Sequence, residues 1–148
     1  MLELKHLHSD QDTTNWGILD FLWAFGSPVE ATAYAKLFWP DFVPVDEMLL
    51  RSDVIEDGSD VERVRKALQE WNGDLEKTEC SFNRLEIPSS IFGKRAGESS
   101  HETDEQLAQL LVEMWEARLN RKFPNEKFSV RLERESDGDI SVTFCKMR

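Results

Sequence analysis

The stretch from Trp16 to Phe42 constrains this chain more than any other. It holds eight of the fifteen aromatic residues, Trp16, Phe21, Trp23, Phe25, Tyr34, Phe38, Trp39 and Phe42, and only four formally charged side chains. Such a segment persists in water only where other elements or a partner cover it, because exposed apolar area costs free energy in proportion to its extent. Its punctuation predicts two helices in a tight αα-hairpin. The first starts near the capping residues Asp12 to Thr14 and carries Ile18, Leu22 and Phe25 as one stripe, with Trp16, Leu19 and Trp23 extending the apolar surface. Gly26 ends it in the left-handed conformation. Ser27-Pro28-Val29-Glu30 then gives the sharpest start signal in the chain: a capping hydroxyl, proline at the first helical position and glutamate three residues after the cap. That helix places Ala31, Tyr34, Ala35, Leu37 and Phe38 on its inner side. It stops near Phe38, since Pro40 disfavours helical backbone at Trp39. Most of these aromatics are expected in the core, with Trp16, Trp23 and Trp39 as candidate interface anchors.

At 148 residues the chain reads as a single domain, with 1–12 as an exposed lead-in. A chain of this length buries about 70% of its unfolded surface, so it needs no staples. Cys80 and Cys145 therefore read as two free thiols of a reducing, bacterial cytoplasm. No run of about 18 apolar residues suggests a membrane span, and the N-terminus lacks the pattern of a signal peptide. The formal charge of −11 argues against nonspecific binding to nucleic acid or to anionic membranes. Residues 118–148 carry eight Lys or Arg against five Asp or Glu, so residues 1–117 hold −14. Between Glu98 and Ala117 there are six acids and no Lys or Arg.

The remaining elements follow from periodicity. Asp46 starts a short helical turn over Met48 to Leu50. Ser59 and Glu62 form a capping box for a helix whose Val61, Val64, Leu68 and Trp71 share one face, ended by Asn72-Gly73. Asp74 caps another helix, running from Leu75 through Phe82 and Leu85 towards Pro88, with a strand over Cys80 to Ile87 as the alternative. Residues 88–102 form a long breaker-rich loop, whose basic pair Lys94-Arg95 is a candidate contact. Thr103 and Gln106 box the start of a long helix ending at Phe123-Pro124-Asn125. In the tail, Phe128, Val130 and Leu132 alternate with polar residues, as do Ile140, Val142 and Phe144. A three-residue loop, Ser136-Asp137-Gly138, sets Leu132 opposite Val142 and Val130 opposite Phe144, keeping one face apolar. The expected fold is α+β and mainly helical, about five helices, with a C-terminal antiparallel β-hairpin packed on them.

Chemistry is sparse. His6-Leu-His8-Ser-Asp10-Gln-Asp12 resembles the first part of the H-x-H-x-D-H metal motif of metallo-β-lactamase-fold hydrolases, with Gln11 where the last His stands in the motif. That family implies a sheet before the motif and further His ligands after it. Here only His101 follows, and the chain is too short. Imidazole and carboxylate at this spacing still leave weak divalent-metal binding by His6, His8, Asp10 and Asp12 as the basis of an alternative, metal-dependent hydrolase reading. No nucleophile–base pair, zincin helix, C-x-x-C or phosphate-loop spacing occurs. Glu113 and Glu116 read as a solvated face. The leading expectation is a non-enzymatic acidic binding protein, of the kind an immunity protein against a basic toxin or nuclease would be. It needs no cofactor, and Asp60, Glu102, Asp104 and Glu105 join the three tryptophans as partner-binding residues. A homodimer through the aromatic helices is the third reading.

Overall fold

A computed structural model describes residues 17–93, 97, 99–136 and 138–148. Contacts divide the chain into two compact units, Met1–Leu37 and Phe38–Arg148. In the first, α1 spans Ile18–Phe25 and α2 begins at Pro28, ending at Phe38. Helix α1 starts behind Gly17, whose N–H donates to Asp20 Oδ2 at 2.9 Å. The expected caps at Asp12 to Thr14 lie outside the described residues. The Ser27 box is present: Glu30 N–H donates to Ser27 Oγ at 3.1 Å, and Ser27 Oγ donates to Glu30 Oε2 at 3.0 Å. Gly26 is extended rather than left-handed, with φ −82°. Glycine is needed there for another reason: a Cβ would stand 2.6 Å from the Leu22 carbonyl oxygen.

The second unit is α+β. A hairpin of β1 (Phe42–Val45) and β2 (Met48–Arg51) turns at Asp46-Glu47. This corrects the helical turn expected over Met48 to Leu50. Asp46 takes the left-handed conformation, φ 52°, which Asp tolerates in a turn. All four residues of β2 are buried, so no alternation marks it as a strand. Helix α3 (Gly58–Glu70) is capped by Asp57 and Asp60 instead of Ser59 and Glu62. It ends where Asn72 and Gly73 both adopt positive φ, as Asn-Gly permits. Helix α4 (Leu75–Phe82), capped by Asp74, stops earlier than expected, and Leu85–Ile87 forms β3. A short α5 (Ser89–Phe92) lies in the predicted loop, and Lys94-Arg95 lies outside the described residues. Helix α6 (His101–Lys122) starts at a Ser100 cap, three residues before the predicted Thr103. Strands β4 (Phe128–Arg134) and β5 (Ile140–Lys146) pair with Leu132 opposite Val142 and Val130 opposite Phe144, as expected. Glu135 N–H donates to the Asp139 carbonyl and Gly138 has φ 94°, which leaves a three-residue loop.

The sheet order is β3-β5-β4. Successive side chains of a strand point to opposite faces. Phe144 meets Trp115 of α6 edge-on, ring centroids 5.9 Å apart, while Cys145 and Thr143 meet Cys80 of α4. Both faces of β5 are thus covered, and Ile140 to Cys145 are all buried. The core of this unit is Trp115, Leu111, Leu119 and Ala108 of α6 against Ile140, Val142 and Phe144, with Met48, Leu50, Val45 and Val64 in a neighbouring cluster. From the long aromatic stretch, Phe42 packs edge-on against Phe144, ring centroids 5.5 Å apart. α1 and α2 have no buried residue, which corrects the expectation that most of their rings are core.

Two buried polar residues, Glu79 of α4 and Asn83 at its C-cap, fasten these layers. Glu79 Oε1 accepts from Leu49 N–H at 2.7 Å, and its Oε2 accepts from Lys146 N–H at 2.9 Å and Arg148 Nη1 at 2.8 Å. Asn83 Oδ1 accepts from Arg51 N–H at 2.9 Å, and its Nδ2 donates to the carbonyls of Leu49 and Phe144. Helix α4 therefore bridges β2 to β5 through main-chain groups that burial would otherwise leave unsatisfied.

Candidate functional site

Helix α1 displays Ile18, Leu19, Leu22 and Trp23, with Leu19 76% and Trp23 89% exposed, and α2 adds Val29 at 80%. Asp20 is the only charged side chain of α1, and α2 carries Glu30 and Lys36. Single exposed apolar residues are ordinary, but a set of large ones on two short consecutive helices is not. Trp23 belongs to it, and Trp16 lies outside the described residues. Trp39 sits in the second unit and is half-buried. Its ring stacks under the Arg118 guanidinium at 5.3 Å, and Arg118 also donates to the Pro40 carbonyl and to Asp41. Trp39 is thus used inside its own unit.

The four acidic candidates separate in the same way. Asp60 accepts from Glu56 N–H at 2.9 Å and pairs with Arg63, so it holds the start of α3. Asp104 is buried, and its Oδ1 has no hydrogen-bond partner among the described residues. Glu105 pairs with Arg134 and faces His101. Glu102 is exposed and accepts from Gln106 at 3.4 Å. Glu102 and Asp104 share the first turn of α6, where carboxylates suit the helix dipole, and Glu105 follows directly. Asp60 belongs to a different helix. Glu113 and Glu116 are exposed, as a solvated face requires.

Elsewhere the ion pairs act locally. Lys122, with Arg118, hydrogen-bonds Asp41 and holds its carboxyl below the usual carboxylate range; Arg65 does the same for Asp46. A depressed folded pKa contributes stability above the ordinary Asp value, and that contribution is lost as pH falls through the folded one. Acid titration of unfolding is therefore expected to be shallower below about pH 4 in Asp41→Asn than in the native chain; identical slopes would contradict this.

One polar cleft of about 350 Å³ opens on the α4 side of the sheet, lined by Cys80, Lys77, Arg84, Arg131, Glu133 and Thr143 among others. Here the two cysteines correct the free-thiol expectation: Cys80 and Cys145 form a disulfide, with Cα atoms 5.0 Å apart. They lie 65 residues apart in sequence, and only the packing of α4 on β5 brings them together. Arg131 Nη2 donates to Cys80 Sγ at 3.5 Å and Nη1 to Cys145 Sγ at 3.6 Å. Sequence reasoning missed this group. A signal did exist, because the Leu132–Val142 register already puts Arg131, Ser129 and Cys145 on one face.

Among the described residues, no group of three or more His, Cys, Asp or Glu could hold a metal ion, and no helix is long and apolar enough to cross a membrane. The His6 to Asp12 cluster lies outside those residues. No protein-family model, curated protein or solved structure matches the chain.

Proposed function

We propose that this chain is a non-enzymatic binding protein, whose helices α1 and α2 dock on an apolar groove bordered by basic residues in a partner protein. The observation that carries the reading is the exposure of Leu19, Leu22, Trp23 and Val29 on these two consecutive helices. The formal charge of −11 favours a basic partner, steers association and makes it salt-sensitive. The same charge opposes pairing with a second copy. An inhibitor of a basic toxin or nuclease is the concrete case. The acids to test for steering are those free of structural duty, Glu102, Glu113 and Glu116. Asp60 is tied into α3 and Asp104 is buried, and reversing their charge disturbs folding before it reports on binding.

Tryptophan anchors at interface centres are commonly worth about 2 kcal/mol or more, roughly thirtyfold in affinity. Immobilised native protein is expected to retain a basic protein from lysate of the source cells. Trp23→Ala and Leu19→Asp should lose it while keeping their circular dichroism, because both side chains are exposed. Equal retention by the variants would mean that α1 and α2 are not the docking surface. A dimer in light scattering that Leu19→Asp dissociates would replace the partner by a second copy.

A further inference from the structure

We propose that Cys80–Cys145 is a reversible thiol–disulfide couple, entered at Cys80 by a small thiol from the polar cleft and assisted by Arg131. This goes beyond the docking role and does not depend on it. Three observations carry it.

First, the two sulfurs differ in access. Cys80 is half-buried and lines the cleft, whereas Cys145 is 1% exposed. An incoming thiolate therefore meets Cys80 Sγ, and Cys145 is the leaving group. Second, one guanidinium reaches both sulfurs. Arg131 is held in place by Glu133 Oε1 at 2.9 Å and Ser129 Oγ at 3.3 Å. A fixed cation beside sulfur favours thiolate over thiol, and a better leaving thiolate exchanges faster. Third, the fold around the bond is fastened independently. Glu79, next to Cys80 in α4, and Asn83, the C-cap of that helix, tie it to β2 and β5 through five hydrogen bonds to main-chain groups. Thr143 Oγ1 adds one more to the Cys80 carbonyl at 2.5 Å. The bond can open without releasing α4.

The exchange balances as follows. A thiolate RS⁻ attacks Cys80 Sγ. The R–S–S–Cys80 bond forms as the Cys80–Cys145 bond breaks, and the electron pair leaves on Cys145 Sγ beside Arg131 Nη1. A second RS⁻ attacks the R sulfur of the mixed disulfide. The pair then leaves on Cys80 Sγ beside Arg131 Nη2, and RSSR departs. Two small thiols are oxidised to one disulfide, and their two protons end on the cysteines. Arg131 transfers nothing, so it is a positioning residue.

The test uses the whole native chain with reduced glutathione as the thiol, without denaturant. Thiols are trapped by iodoacetamide and located by peptide mass spectrometry, while circular dichroism follows the fold. The expected result is a reduction rate that rises linearly with glutathione, a mixed disulfide found on Cys80, and unchanged circular dichroism. Arg131→Gln should slow reduction on the order of tenfold and move the pH dependence of alkylation upward, with partial recovery in Arg131→Lys. A rate independent of glutathione would mean that opening of the fold limits access, and would overturn the proposal. An adduct on Cys145, an unaltered rate and pH profile in Arg131→Gln, or two free thiols in protein isolated in air would each overturn it as well.

Discussion

Glu79→Ala is expected to destabilise the protein by about 3–5 kcal/mol, the range found when one partner of a buried charge pair is removed. Glu79 has no exposed surface. Its two oxygens satisfy the main-chain N–H groups of Leu49 and Lys146 and hold the Arg148 guanidinium. Alanine leaves both N–H groups without an acceptor, and each such orphan costs about 1–3 kcal/mol. Arg148 is partly exposed, with 27% of its side chain accessible, so water relieves some of its loss. Against a typical total of about 5–15 kcal/mol the change is large. The urea midpoint should fall sharply. Glu79→Gln should lie in between, because its amide keeps one acceptor but turns a donor towards a donor. A loss below about 1 kcal/mol for Glu79→Ala would mean that α4 does not fasten the layers.

Trp115→Ala is expected to cost a similar amount, about 3–5 kcal/mol, for a different reason. The indole has no exposed surface, stands edge-on to Phe144 at 5.9 Å and lies under the Arg51 guanidinium at 4.9 Å. Removing it leaves a cavity between α6 and β5, and the tightly packed surroundings close it only in part. It also removes the ring beneath Arg51, which is itself 3% exposed. That charge keeps its Asp53 pair at 2.9 Å but loses its apolar cover. Trp115→Phe should recover part of the loss by refilling the space. Unfolding should be followed by circular dichroism, since the substitution removes a fluorophore. Equal stability of Trp115→Ala and the native chain would place the core elsewhere.

What the sequence revealed depended on how local the cause was. The Ser27-Pro28-Glu30 start and the end at Phe38 rest on neighbouring residues, and both are present. The β4–β5 register was legible because a slip of one residue would turn Leu132 and Val142 away from α6. Strand β2 was not, because all of Met48 to Arg51 is buried and period-two alternation disappears. β3 was hidden by the helical spacing of Leu75, Thr78, Phe82 and Leu85, which continues beyond the point where the helix stops. Glu79 and Asn83 look like ordinary polar positions on a helix, and only the packing of three elements reveals their partners. The disulfide is of the same kind. The aromatic stretch misled in the opposite way. Its richness in rings suggested a core, whereas the described residues of α1 and α2 leave Trp23 and Leu19 exposed.

The most direct measurement is photo-crosslinking in the source cells, with a photoreactive phenylalanine analogue at position 23 and, as control, at the exposed position 70 of α3. The expected result is an adduct to one basic protein from position 23, weakened by added salt, and none from position 70. Adducts arising only from position 70, or from position 23 only to a second copy of this chain, would contradict it.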